Sequence, residues 1–444
     1  MRPIEFKFWD DLRSSFWFTP SVMVALAGLL ALVCVEIDER APVPQMAMFY
    51  LYTGSPSGAM TLLSTVAGSM IGVAGVVFSV TIVALTLASA QFGPRLLGAF
   101  MRDPVDQVAL GTFLATFVYC LLVLRAIRDD PLDKFVPHFS VSVGVVLTLF
   151  SLAILIYFIH HVSKSIQAAN VIDAVGADLD EVIRRLFPHP GVNQPLSAEQ
   201  CEDERSLLEL GDDAWEVRAS TAGYLQAVDY DGLLNLATRF DLQLHALPIP
   251  GDYVTYDGVL VRGRSRQGSH SNLDATAGRA VKAAFVLGTE RTHTQDVEFP
   301  IVQMVQLCLR ALSPAINDPI TAVMCIERLG EALRRVADCE LPSPYRIDGQ
   351  QVLRVLMRWP DHQRITRTAF NQVRQYGSSS LEVSLALVDT LATIAERTCD
   401  PRFQQALLEQ AEFIERGSHA ALPEERDRLR VRERFQIVAD RCQS

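Results

Sequence analysis

Nowhere in its 444 residues does the chain carry Gly-x4-Gly-Lys-Ser/Thr, a dinucleotide glycine fingerprint, His-Glu-x-x-His or Gly-x-Ser-x-Gly. With them go the phosphate cradle, the zinc-protease helix and the nucleophile elbow, and the chain reads as a non-enzyme. Cys-x-x-Cys is also missing: the eight cysteines stand apart at 34, 120, 201, 308, 325, 339, 399 and 442, with no Cys/His ligand spacing. A disulfide framework, a structural metal and a bound cofactor are therefore not expected, and the usage fits a reducing compartment. An excess of positive charge is absent as well. The net charge of -11 argues against nucleic acid as a partner.

After residue 161 no long apolar run recurs, whereas four fill the chain before it, at 19–35, 60–90, 107–127 and 139–161. Each approaches the roughly 20 residues a helix needs to cross about 30 Å of hydrocarbon. Mean hydropathy of +0.19 hides the split, because it averages an apolar third with a charged remainder. The expectation is an α-helical four-span transmembrane domain followed by a cytoplasmic α+β domain, a small β-rich module plus helices. Its divisions are an interfacial segment over 1–18, the spans over 19–163, a stem helix and linker over 164–200, an α+β module over 201–272 and a mainly helical part over 273–444.

The N-terminus mixes acids with bases and has no short apolar core, so no cleaved signal peptide is read. Its aromatics, among them Phe6, Trp9 and Trp17, suit a helix lying at headgroup depth. Arg2, Lys7, Arg13, Arg95, Arg102 and Lys164 flank one side of the spans, against Arg40, Arg125, Arg128 and Lys134 on the other. Six against four places both termini in the cytoplasm. The outer loops add Glu36, Asp38, Glu39, Asp129, Asp130 and Asp133, which read either as solvated charge or as a weakly cation-attracting mouth.

No span contains the acid and base pair that marks a proton relay or a charge-coupled transporter. No internal repeat is evident either, which leaves a channel favoured over a repeat-built transporter. The second span is the unusual one, long, uncharged and rich in Gly, Ser and Thr. Ser64, Gly68, Gly72, Gly75, Ser79 and Thr86 fall near one face, and Gly68-x-x-x-Gly72 is the spacing of closely packed membrane helices. Two readings follow: the stripe packs tightly against another helix, or copies of it gather around an axis and line an aqueous path gated at Ile82 or Val83. Gly93 and Pro94 break the helix beside Arg95, a base for lipid phosphate or an inner mouth.

In the tail, helical periodicity continues over 164–187, and Pro188, Pro190 and Pro195 mark a linker. Strands are expected at 215–219, 224–228 and 242–247, with a helix at 233–240. Pro250-Gly251-Asp252 and the strand after Gly258 look like the hairpins of small lipoyl-type barrels, without the lysine that would carry a group. Arg262, Arg264, Arg266 and His270 read either as a solvated loop or as an anion or lipid-headgroup contact. Helices are expected at 299–312, 321–336, 364–375 and 381–396. Between the first two of these lies Leu312-Ser313-Pro314-Ala315-Ile316-Asn317-Asp318-Pro319. Asp318 suits an N-cap and Pro319 the first helical position. The corner is read either as local folding or as a subunit or ligand contact through Asn317 and Asp318.

That octapeptide, the run from Phe78-Ser79-Val80-Thr81 to Gln91-Phe92-Gly93-Pro94-Arg95, and Gly223-Tyr224-Leu225-Gln226 with the Pro-Gly-Asp turn resemble the DUF2254 family of predicted bacterial membrane proteins. The resemblance spans nearly the whole chain. It implies a bacterial inner-membrane protein and carries over no catalytic or binding residue. The function expected is a homo-oligomeric channel or pore-like conduit for ions in the lipid bilayer, with the tail serving assembly and gating. The alternative is a membrane-anchored sensor or scaffold whose cytoplasmic part binds a ligand or protein.

Overall fold

In the computed structural model, residues 17–40, 52–92, 104–130, 133–165, 167–188, 214–266 and 275–443 are described, with 201, 204–205 and 207–208. Arg95, His270 and the aromatics before Trp17 lie outside them. The chain divides into two compact units, Ile4–Asn170 and Val171–Ser444.

The first unit holds four helices long and apolar enough to cross a membrane: α1 (Phe18–Arg40), α2 (Pro56–Phe92), α3 (Pro104–Ala126) and α4 (His138–Ser165). A two-stranded turn, β1 (Arg128–Asp130) with β2 (Asp133–Phe135), joins the last two. Helix α3 is the centre, packing on α1, α2 and α4. Near one end, Ala31, Leu63, Tyr119 and Val141 are buried together; toward the other, Val77, Leu110, Phe113 and Phe158 are. Polar groups inside are paired: Thr116 with Ser151 at 3.0 Å, and the Tyr119 hydroxyl donating to the Ser140 carbonyl at 2.9 Å. In an apolar surrounding such pairing is required, because an orphaned hydroxyl costs several kcal/mol.

Asp38 departs from the loop reading. It sits in the last turn of α1, where a carboxylate opposes the helix dipole. Its oxygens accept from the amides of Phe139 and Ser140 at 3.0 and 2.9 Å and from the Ser140 hydroxyl at 2.6 Å. One carboxylate thus satisfies the open amides at the start of α4 and ties that helix to α1. Tyr52 is strapped to the same helix, its amide donating to Ser142 Oγ at 2.8 Å and its carbonyl 2.6 Å from His138 Nδ1.

The stem expected to run unbroken through 164–187 is two helices. α4 ends at Ser165, and α5 (Ala168–Leu186) begins three residues later, burying Val171, Ile172, Val175, Leu179 and Ile183 in the second unit.

The sheet region of that unit contains β3 (Trp215–Arg218), β4 (Gly223–Val228), α6 (Tyr230–Arg239), β5 (Leu242–Ala246), β6 (Tyr253–Val254), β7 (Val259–Ser265), α7 (Ala275–Ala283) and β8 (Phe285–Gly288). Next come α8 (Glu298–Ala311), α9 (Pro319–Ala337), β9 (Tyr345–Ile347) and β10 (Leu353–Leu356). The chain closes with α10 (His362–Gly377), α11 (Leu381–Ala395), α12 (Pro401–Ala421) and α13 (Glu425–Gln443). Five strands form one sheet in the order β3-β7-β5-β10-β9, and three form another, β6-β4-β8. Both contribute to one core, through Leu225, Leu244, Leu260, Phe285 and Val355. β10 pairs parallel with β5, so this core draws strands from both sides of residue 272.

The barrel-like hairpin is corrected by this pairing. β6 bonds to β4 while β7 lies between β3 and β5, so the two strands belong to different sheets. The arginine loop is corrected too: Arg262 and Arg264 lie within β7, the first paired with Glu216 at 3.0 Å and the second donating to Gln243 Oε1 at 2.6 Å. Gln243 is fully buried, and its amide also donates to the Leu353 carbonyl at 3.2 Å.

Candidate functional site

Helix α2 has 37 residues, about 55 Å at 1.5 Å per residue, well beyond the thickness of a bilayer core. Alanines and medium apolar residues at helical spacing decide which side it packs with. Ala59, Leu63, Ala67, Met70, Ala74 and Val77 are buried, and the last three sit with Leu110 and Phe113 of α3. At 100° per residue, the centre of the Ser64, Gly68, Gly72, Gly75, Ser79, Ile82 and Thr86 stripe lies roughly 140° around the helix from that face. All seven are exposed, as is Val83 at the stripe's flank.

Among the described residues, nothing of the chain's own bundle packs tightly on the stripe. A Cβ added at Gly68, Gly72 or Gly75 would meet nothing within 4 Å. By contrast, one at Gly144, inside the bundle, would meet Leu63 at 3.2 Å. Two hydroxyls of the stripe donate to their own helix: Ser64 to the Thr61 carbonyl at 3.0 Å and Thr86 to the Ile82 carbonyl at 2.8 Å. A hydroxyl so engaged turns oxygen lone pairs outward and has no proton left to offer.

Asn317 and Asp318 belong to the other unit. Asn317 takes a left-handed φ of 49°, and Asp318 caps α9, accepting from the Thr321 amide at 3.1 Å and the Thr321 hydroxyl at 2.6 Å. These bonds hold the Asp318 carboxyl below its ordinary value. Local folding accounts for both residues, yet Pro314, Ala315, Ile316 and Asn317 are left exposed at the corner, followed by Ile320 at the start of α9.

The Pro-Gly-Asp turn has a structural role. Gly251 has φ of 99°, and a Cβ there would come within 2.3 Å of Asp296. Asp252 accepts from Arg364 at 3.1 Å, and Arg364 also clasps Glu298 at 2.7 Å. Arg291 holds Asp296 at 2.7 Å, although burial pushes that carboxyl up. A depression lined by Arg291, Arg364 and Arg367 follows, but each guanidinium is engaged by a carboxylate of this chain. The cluster ties sheet to helices and leaves little open charge. Among the described residues no group of three or more His, Cys, Asp or Glu could hold a metal ion.

Sequence reasoning missed Asp38, Tyr52 and His138, whose partners lie 86 to 102 residues away. One signal was available: an acid in the last turn of a span is unfavourable unless something compensates it.

A family model described as a predicted membrane protein, DUF2254, matches residues 13–393. An uncharacterised protein of Mycobacterium bovis and one of Mycobacterium tuberculosis are each 31% identical to the chain over 431 residues, covering 95% of it and 80% of the relative. No solved structure matches.

Proposed function

We propose that this chain, which belongs to the DUF2254 family of predicted membrane proteins, is a homo-oligomeric conduit for ions in the bacterial cytoplasmic membrane. The observation that carries the reading is the outward stripe of α2. Seven small, hydroxylated or apolar residues stand exposed on the side of the helix turned away from its bundle. Facing acyl chains, bare glycine backbone and hydroxyls gain nothing that leucine would not supply. Covered by a second copy, glycines permit close approach of two helices; around a water-filled axis, the hydroxyls meet solvent.

In the arrangement proposed, copies of α2 line the path and the second unit serves assembly and gating, with both termini cytoplasmic. Ser64 and Thr86 present oxygen acceptors, which favours cations modestly, and no charged side chain lies between Pro56 and Ser89 to impose a strong preference. Rings of Ile82 and Val83 are placed to close the path by dewetting. The proposal assigns the chain no catalysis.

Recording from purified protein in planar bilayers under a KCl gradient tests this. Discrete currents are expected, and Ser79→Leu should lower unitary conductance at least twofold with the oligomer intact. Unchanged conductance would remove Ser79 from the path. Silence across voltage and pH, from a correctly assembled protein, would favour the membrane-anchored sensor or scaffold instead.

A further inference from the structure

Helices α9 and α11 lie close together at Gly330, where a Cβ would come within 2.4 Å of Thr390. Along their surface runs a groove whose apolar lining includes Ile320, Val323, Leu385 and Ala386. Ile320 is 74% exposed, an aliphatic side chain left without cover. Four carboxylates share the lining, Glu327, Glu331, Glu382 and Asp389, against the single base Arg334. Arg334 is itself held by Glu331 at 3.6 Å, so the groove combines apolar side chains with an excess of acid.

The complementary surface lies on the same chain. Helix α13 buries only Val431 and Val438, and its outer side carries Arg426, Leu429, Arg430, Glu433 and Ile437 at helical spacing. These residues form one ridge about 17 Å long. Leu429 is 49% and Ile437 36% exposed. Arg426 and Arg430 are exposed, and neither makes an ion pair among the described residues. The chemistry of the match is already present within the chain, since Arg434 of α13 reaches Asp389 of α11 at 3.6 Å and Arg441 reaches Glu396 at 2.5 Å. Arg426 and Arg430, the two arginines on the ridge, are not taken up in this way.

We infer that the outer ridge of α13 in one copy docks into the α9/α11 groove of a second copy. Leu429 or Ile437 covers Ile320 and Leu385, and Arg426 and Arg430 meet Glu327 and Glu382. An amphipathic helix in an apolar groove with opposite charge at the rim is a common mode of recognition, in which charge sets register and the apolar anchors hold. The inference deepens the assembly role assigned to the second unit in the proposed function and rests on that reading only for the existence of an oligomer.

The test uses full-length protein in detergent with the exposed Cys399 replaced by serine. A chain carrying Glu327→Cys is mixed with one carrying Arg430→Cys, and a chain with Glu382→Cys with one carrying Arg426→Cys; both mixtures are oxidised. At least one mixture should give tenfold more covalent dimer than either chain alone. Glu327→Arg with Glu382→Arg should lower the oligomer fraction in sedimentation at least fivefold, and adding Arg426→Glu with Arg430→Glu should restore it. Rescue of this kind also shows that the first variant folds. No covalent dimer from either mixture, from protein that is oligomeric by sedimentation, overturns the contact and leaves a conduit assembled through its spans. Efficient dimers together with silent bilayers support the contact and overturn the conduit alone.

Discussion

Asp318 is where a single side chain has the clearest measurable weight. It caps α9 through two bonds to Thr321, and Pro319 behind it needs no amide partner. Asp318→Ala should cost about 1 kcal/mol at neutral pH, the usual worth of a cap. Its folded-state pKa lies below the ordinary 3.8, so the stabilisation is present above that value and is lost as the pH falls through the lower one. Wild type and variant should therefore differ in midpoint at pH 7 and converge in strong acid, as read by tryptophan fluorescence on heating. Asn317 contributes through its backbone instead, since the left-handed conformation, tolerable for asparagine, turns the chain out of α8.

At the scale of elements, α2 and the junction of α1 with α4 behave in opposite ways. The packed side of α2 is built from alanines and medium apolar residues, so it lies close to α3 and leaves its glycine side outward. The start of α4 instead depends on a partner more than a hundred residues upstream, the Asp38 carboxylate. Asp38→Ala removes three acceptor contacts at once and exposes amides in a poorly hydrated place. Loss of about 1 to 3 kcal/mol is expected, measured as a lower temperature of aggregation in detergent. Asp38→Asn, which keeps an acceptor, should recover part of it. An unchanged melt for Asp38→Ala would mean that water or lipid headgroups replace the cap.

For the whole molecule, the consequential fact is the division into two units. Residues after 170 have their own core, in which Leu225, Leu244, Leu333, Leu353, Phe370 and Leu391 are inaccessible. The buried Arg354 is paired there with Asp348 and Asp241, both at 2.7 Å, so its charge is met by carboxylates of the same unit. A fragment spanning 168–443 should accordingly be soluble and unfold in one cooperative transition. Dye binding typical of a loosely packed state would count against an independent core.

Hydropathy and periodicity along the chain were sufficient for the four long apolar helices, and they gave strands at 215–219, 224–228 and 242–247 and helices at 299–312, 321–336, 364–375 and 381–396, each within about two residues of the element found. Those signals are local, arising from side chains within one or two turns or from alternate residues of one strand. The stripe of α2 was visible for the same reason, since its members share one helix. Which way the stripe faces was not legible, because that depends on α3 burying the opposite side. The pairing of β10 with β5, the separation of β6 from β7 and the use of Asp38 join residues far apart in sequence. Only the tertiary structure decides such matters, because hydrogen bonds and ion pairs act over a few ångströms of space, and no local pattern records which distant segments are brought within that reach.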